Sequence, residues 1–377
     1  MYGHNVTKKA ALFIVLTLCT ITTVTWYILE MKKNVYAPQS HRAKLSLFAA
    51  RRSFDASPVA NVVYIKTHKT GSTSLHCIIC RYGYERSLSF VFSKNNPVNG
   101  YIRKSSLRPS TFLPPLGNTS GKRSHKYNIL SGHVIYKRRQ IHSFMKFNAK
   151  YITILREPAK QIESHMNFFN IKETVMCNIS SFNENPEIFE NGGKALSRNN
   201  QIRDLGLPLK KTANETLVNN KIRQLDKEFD LVLITEYFDE SLVLLKHIFR
   251  WDFDDILYLS KNERTNRDDI TDEFRYNIYQ WSRADVLLYT YFNETLWRRI
   301  RQYGSQFEND LAHFRHRLQE TREQCEISDE EVVSSHRASI TRIQHLSNNE
   351  STLCRNIACT GSGWYKRIAA RQNISML

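Results

Sequence analysis

An α/β fold, a mainly parallel sheet flanked by helices, is predicted by three observations. Short apolar runs rich in β-branched residues recur, each is followed by a stretch of helical period, and polar turns separate the two. The first such unit is NVVYIK, 61–66, then THKTGSTS, then LHCIICRY, where Leu75, Ile78, Ile79 and Tyr82 fall on one helical face. The second begins with YITIL, 151–155, turns through Arg156, Glu157 and Pro158, and continues as a helix to about Asn170. In the third, LVLITE, 231–236, precedes ESLVLLKHIFRW, whose Leu242, Leu245 and Phe249 form an apolar face. Three units of this kind suggest a nucleotide-binding domain.

Ahead of them, Ala10–Leu29 is a run of twenty residues without a charge. At about 1.5 Å per residue a helix of that length matches a hydrocarbon layer of roughly 30 Å, so one N-terminal transmembrane helix is expected. A cleaved signal peptide is the rival, but its apolar region is usually shorter, at about 7 to 15 residues. Lys8 and Lys9 before the run, against Lys32, Lys33, Arg42 and Lys44 after it, would place the long C-terminal part in the cytosol. Six sequons at Asn118, Asn178, Asn214, Asn293, Asn349 and Asn373 argue for the lumen, and they decide the expected type II topology. The chain then divides into a cytosolic tail (1–9), an anchor (10–29), a basic stem without clear period (30–57), a luminal domain (58–320) and a C-terminal extension (321–377).

Lys and Arg total 54 against 36 Asp and Glu, a formal net charge of +18, which favours an anionic partner: a nucleotide, a membrane surface or an acidic polymer. Nucleic acid is not expected. Cys19 lies in the apolar run, leaving Cys77, Cys80, Cys177, Cys325, Cys354 and Cys359 for an oxidising lumen, with their pairing open. Cys77 and Cys80 form a C-x-x-C, but no second metal-type pair accompanies them, so no metal site is expected. The Pro-, Gly- and Ser-bearing stretch 95–125 is expected to be a long loop, either over a substrate or as a glycosylated surface excursion. Ile300, Phe307 and Phe314, with Leu311 and Leu318 offset, make a seam expected to pack on its own domain, a homodimer being the alternative.

The turn His68, Lys69, Thr70, Gly71, Ser72, Thr73, Ser74 carries the most specific chemistry. Gly71 lets the backbone approach an anion, the hydroxyls donate, and the following helix offers unpaired N–H groups. It is not a Walker A loop, because its lysine precedes the glycine, which also disfavours a kinase. Lys69 would neutralise charge on a departing oxygen and is the first catalytic candidate. The plain alternative is a solvated lysine in a helix-capping turn.

KTHKTGSTS after a strand resembles the 5′-phosphosulfate loop of Golgi carbohydrate sulfotransferases, and LREPAKQIES, 155–164, resembles their 3′-phosphate motif. KTHKTGST, RNNQIRDLGL (198–207), FDLVLITEYFDESLVLLKHIFRWDFDDILY (229–258) and LYTYFNETLWRRI (288–300) are similar to the galactose 3-O-sulfotransferases. The resemblance covers most of 59–305 and leaves the stem and the tail beyond about 320 unassigned. It implies a P-loop-like sulfotransferase fold in a Golgi membrane protein and 3′-phosphoadenylyl sulfate as donor. It also implies a terminal galactose 3-hydroxyl on a glycolipid or glycoprotein as acceptor, with no metal required. Donor contacts implied are His68 to Ser74, with Arg156 and Ser164 at the 3′-phosphate; an arginine fork suits a phosphate.

For the base, His133 in LSGHVIY is chosen, since a neutral imidazole accepts a proton near pH 7 and a similar segment in uronosyl 2-O-sulfotransferases bears a proposed base. His68 and His165 are its rivals. Arg198 and Asn199 are candidates for acceptor contact, with loop structure as the equal alternative. Two other functions stay open: transfer to a glycosaminoglycan uronic acid or hexosamine, and a luminal anion-binding protein without turnover.

Overall fold

The computed structural model describes residues 57–94, 107–117, 126–168, 179–184, 186, 198–259, 263–264, 269–333, 340–346 and 351–374. The predicted anchor and stem, Cys177, and the sequons at Asn118, Asn178 and Asn349 lie outside the described residues. Among those described, no helix is long and apolar enough to cross a membrane.

Four parallel strands, β1 (Val62–Ile65), β2 (Ile129–Gly132), β3 (Lys150–Leu155) and β4 (Leu231–Ile234), form the central sheet in the order β2-β1-β3-β4. Nearly every residue in them is buried, which is why they read as continuous apolar runs rather than as alternating ones. The chain leaves β1 towards one edge to make β2 and returns on the other side of β1 as β3. The strand order therefore reverses between β1 and β3, and their carboxyl ends flank the crevice where open α/β sheets bind ligands.

The three predicted units are present. The helix after β1 is α1 (Ser72–Glu85), with Leu75, Ile78, Ile79 and Tyr82 buried. A short α2 (Arg138–His142) follows β2, and the helix after β3 is α3 (Pro158–Phe168). Beyond α4 (Ile179–Glu184) come α5 (Asn200–Asp204) and α6 (Glu215–Glu228), and the helix after β4 is α7 (Phe238–Phe249). Leu242, Leu245 and Phe249 all reach the core. Then follow α8 (Phe253–Ile256), β5 (Glu263–Arg264), α9 (Asp272–Trp281), α10 (Arg283–Tyr303) and α11 (Gln306–Gln324). Ile300, Phe307, Leu311 and Phe314 are buried in the same core as the sheet, so the seam packs on its own domain.

Residues 107–117, expected to be loop, are not a surface excursion throughout. Leu107, Phe112 and Leu113 are buried, and Phe112 meets Tyr127 and Phe144 edge-on. The prolines direct the backbone, but the apolar side chains between them anchor it.

The segment that sequence left unassigned closes onto the same core. β6 (Ile327–Val333) and β7 (Ile340–Leu346) pair antiparallel, and β7 also pairs with β5. Cys325 and Cys354 form a disulfide, while Cys77 and Cys80 are buried thiols within α1. α12 (Thr352–Ala358) and α13 (Gly361–Ile374) lie against α1. Trp364 and Ile368 are buried there, and the Gln372 amide receives the Phe90 N–H at 2.7 Å and donates to the Phe90 carbonyl at 3.1 Å. Of the sequons, Asn214 is exposed at the start of α6, whereas Asn293 lies inside α10 with Thr295 buried, so the folded chain presents only the former of these two.

Candidate active site

Because β1 and β3 are adjacent and parallel, the turn after β1 and the turn after β3 open side by side onto the crevice. In the first turn Lys69 (φ 60°) and Gly71 (φ 66°) both adopt left-handed backbone. Glycine does so freely, whereas for the lysine it costs about 1–2 kcal/mol, and strain of that kind collects at functional sites. A Cβ on Gly71 would meet Thr235 Cγ2 at 3.2 Å, a contact that only a shift of the neighbour relieves.

The turn's carbonyls are tied back one after another. His68 O accepts from Gln161 Nε2 (2.9 Å), Lys69 O from Arg156 Nη1 (3.3 Å), and Thr70 O from Thr235 Oγ1 (2.8 Å). Three successive acceptors are thus held by neighbouring elements, and no side chain caps α1. A surface of amide hydrogens at a helix N-terminus remains, and an oxyanion is its natural guest.

Thr70 and Ser72, expected to bind donor oxygens, are buried and turned into the loop. Thr67 Oγ1 lies 2.8 Å from Thr70 Oγ1, and Ser72 Oγ donates to Thr67 O at 2.8 Å. Their hydroxyl protons hold the turn's shape, since a hydroxyl has one proton to give. Thr73 is partly buried and Ser74 buried on the first turn of α1. The Lys69 ammonium lies 3.9 Å above the centroid of Phe168, the last residue of α3. Ser164 is on α3, eight residues on from Arg156, which lies in the turn before that helix.

Two imidazoles stack beside the turn. His68 and His133 have ring centroids 4.3 Å apart at an interplanar angle of 24°. His133 Nδ1 is 3.0 Å from the Lys66 carbonyl, which can only accept, so Nδ1 carries the proton and Nε2 the lone pair. Burial, and after it the nearby Lys66 charge, holds the His133 imidazole well below its usual range, so it is neutral at pH 7. His68 Nδ1 lies 2.6 Å from Asp204 Oδ2. His165, the other rival, is buried inside α3.

Asn199 is a correction to the expected acceptor contacts. It is buried, its Oδ1 accepts the Ala284 and Asp285 N–H groups, and its Nδ2 donates to Thr212 Oγ1 at 3.1 Å. An amide so buried and so bonded is part of the fold. Arg198 is partly buried beside it. Residues that sequence reasoning missed are Gln161, Gln201, Asp204 and Thr235, all of which grip the two phosphate motifs. All four lie in blocks whose similarity the sequence showed, Gln161 in 155–164, Gln201 and Asp204 in 198–207 and Thr235 in 229–258, but nothing local marked the individual residues. Among the described residues no cluster of His, Cys, Asp and Glu side chains is placed to hold a metal ion.

An open parallel sheet whose switch point carries a left-handed turn at a helix N-terminus, with an arginine and a neutral imidazole beside it, is an arrangement suited to an anionic ligand. The family profile described as Galactose-3-O-sulfotransferase matches residues 3–352, so the chain belongs to the galactose-3-O-sulfotransferase family. Galactosylceramide sulfotransferase of Homo sapiens is 30% identical over 285 residues, 72% of this chain and 65% of that protein. Galactose-3-O-sulfotransferase 2 of Sus scrofa is 30% identical over 261 residues, 66% of this chain and 63% of that protein. Galactose-3-O-sulfotransferase 3 of Mus musculus is 28% identical over 286 residues, 72% of this chain and 64% of that protein. The chain thus spans just under two thirds of the length of these relatives.

Proposed function

We propose that the protein transfers a sulfuryl group from 3′-phosphoadenylyl sulfate to the 3-hydroxyl of a galactose on a glycolipid or glycoprotein. The observation that carries this reading is the left-handed turn at Lys69 and Gly71, opening beside Arg156 at the switch point. The residues present fit the donor: Gly71 leaves the space a Cβ would fill, the first turn of α1 offers amides, and Lys69 and Arg156 supply charge. When bound, the donor supplies an activated sulfuryl group on a phosphate leaving group.

Lys69 holds positive charge where the leaving oxygen becomes negative, and the amides of the turn share that task. Arg156 and Ser164 hold the 3′-phosphate. His133 takes the acceptor hydroxyl proton at Nε2, its neutral form being the one that can do so at pH 7. Positioning and charge carry the rate, as in phosphoryl transfer. A single-pass type II protein of the Golgi membrane with a luminal domain is the setting in which donor, acceptor and sequons meet.

Incubation of the full-length protein with radiolabelled donor and a panel of galactosides, uronosides, hexosaminides and galactosylceramide tests the reading. Label on galactose is expected, Lys69→Ala should abolish it, and Arg156→Ala should chiefly raise the donor KM. Label on uronosides alone, or near-normal turnover in both variants, would sink it.

A further inference from the structure

We propose that residues 199–205 form a bracket that sets the spacing between the two phosphate-binding turns, with Gln201 positioning Arg156 and Asp204 positioning His68. The inference rests on the donor-binding reading above and assigns the block 198–207 a task other than acceptor contact. Gln201 engages Arg156 at both main-chain groups: Oε1 receives the Arg156 N–H at 2.9 Å, and Nε2 donates to the Arg156 carbonyl at 2.9 Å. A side-chain amide here continues β3 by one ladder step, which fixes the backbone from which the guanidinium projects. One helical turn later, Asp204 Oδ2 receives the His68 backbone N–H at 3.1 Å and lies 2.6 Å from His68 Nδ1. The Asp204 carbonyl accepts from Tyr136 N at 2.9 Å, three residues past His133. A single turn of helix therefore touches the segments that follow β1, β2 and β3.

The bracket is itself held by reciprocal capping. Asn199 Oδ1 accepts from the start of α10, and the Asp285 carboxylate of α10 accepts the N–H groups of Gln201 and Ile202 at 3.0 and 2.8 Å. Gln201 and Asp204 are both buried, so water does not compete for these bonds. Side chains that touch only the backbone or Nδ1 of the site residues act through them, and their loss should be selective. Displacing Arg156 affects the donor; releasing His68 affects the proton chemistry in the crevice, where its ring stacks on His133.

The test uses the full chain, radiolabelled donor and a galactoside acceptor, with thermal midpoints recorded for every variant. Gln201→Leu is expected to raise the donor KM by about tenfold, the worth of one or two hydrogen bonds, with the acceptor KM nearly unchanged. In an Arg156→Ala background the same substitution should add little. Asp204→Asn is expected to lower kcat and displace the acidic limb of the pH profile, while raising the donor KM less than Gln201→Leu does, because the amide oxygen can still accept the His68 N–H that holds the turn. Should Gln201→Leu not fold, Gln201→Glu, which keeps the acceptor for the Arg156 N–H, is read in the same way with a smaller rise. Equal effects on both KM values, full additivity with Arg156→Ala, or an unmoved pH profile in Asp204→Asn would overturn the bracket alone. No transfer by the wild-type protein would overturn the functional reading and the bracket with it.

Discussion

Lys69 meets two opposed demands, since a β-carbon disfavours its left-handed backbone while the proposed chemistry needs its ammonium, which rests over Phe168, beside the departing oxygen. Comparing Lys69→Gly with Lys69→Ala separates them, because both lose the charge and the contact with Phe168 but only glycine relieves the strain. The glycine variant should be the more stable by about 1 kcal/mol in denaturant unfolding, with transfer lost in both. Equal stabilities would mean that the backbone stores no strain there. His133 gives the second prediction at this scale. Its folded pKa is depressed, so the stability it contributes is present above about 6.5, its unfolded value, and is lost as pH falls below that. For the same reason the acidic limb of kcat/KM should lie below pH 6.5, and His133→Gln should lower kcat by about 10²-fold or more. An inflection above 6.5 that persists in His133→Gln would assign the base elsewhere.

Among elements, the paired N-termini of α5 and α10 decide how the site is built. Each helix lends the other its acceptors, Asn199 in one direction and Asp285 in the other, so the amides of Gln201, Ile202 and Ala284 are satisfied across the junction and that of Asp285 is shared with the Ser282 carbonyl. Burial pushes the Asp285 carboxyl up to about 7, against the amides of Ile202 and Gln201 that draw it down. A raised acid binds protons more tightly folded than unfolded, so its contribution is complete below about pH 3.8, its ordinary value, and is lost as pH rises towards 7. Thermal midpoints of the wild type and Asp285→Asn should therefore converge as pH rises from 4 to 7. Parallel curves would show that Asp285 titrates as an ordinary carboxyl. The block RNNQIRDLGL was visible as a similarity, but its task was not, because capping partners 83 to 86 residues apart leave no local period.

For the molecule as a whole, the C-terminal segment supports the helix that carries the proposed donor site. α13 packs on α1, the helix whose first turn forms the cradle, and the Cys325–Cys354 disulfide ties its approach to the end of α11. Trp364→Ala should cost about 3–5 kcal/mol, the range for truncating a buried aromatic, and lower the thermal midpoint accordingly. A change below 1 kcal/mol would mean that α13 is dispensable to the core. Composition gave no hint of this, since α13 is weakly apolar in sequence and, among its described side chains, Trp364, Tyr365, Ile368 and Gln372 are the buried ones.

Sequence alone determined the three strand-turn-helix units, the turn after β1 and the arginine after β3, because each is written in the period and chemistry of neighbouring residues. Tertiary structure alone decided that His68 stacks on His133, that Thr70 and Ser72 face inward, that Asn199 caps a helix, and that Gln201 and Asp204 hold the two turns together. The bonds of Thr70 and Ser72 are local to the turn, but the others join residues 45 to 136 positions apart, and they exist only because parallel strands bring their carboxyl ends to one edge.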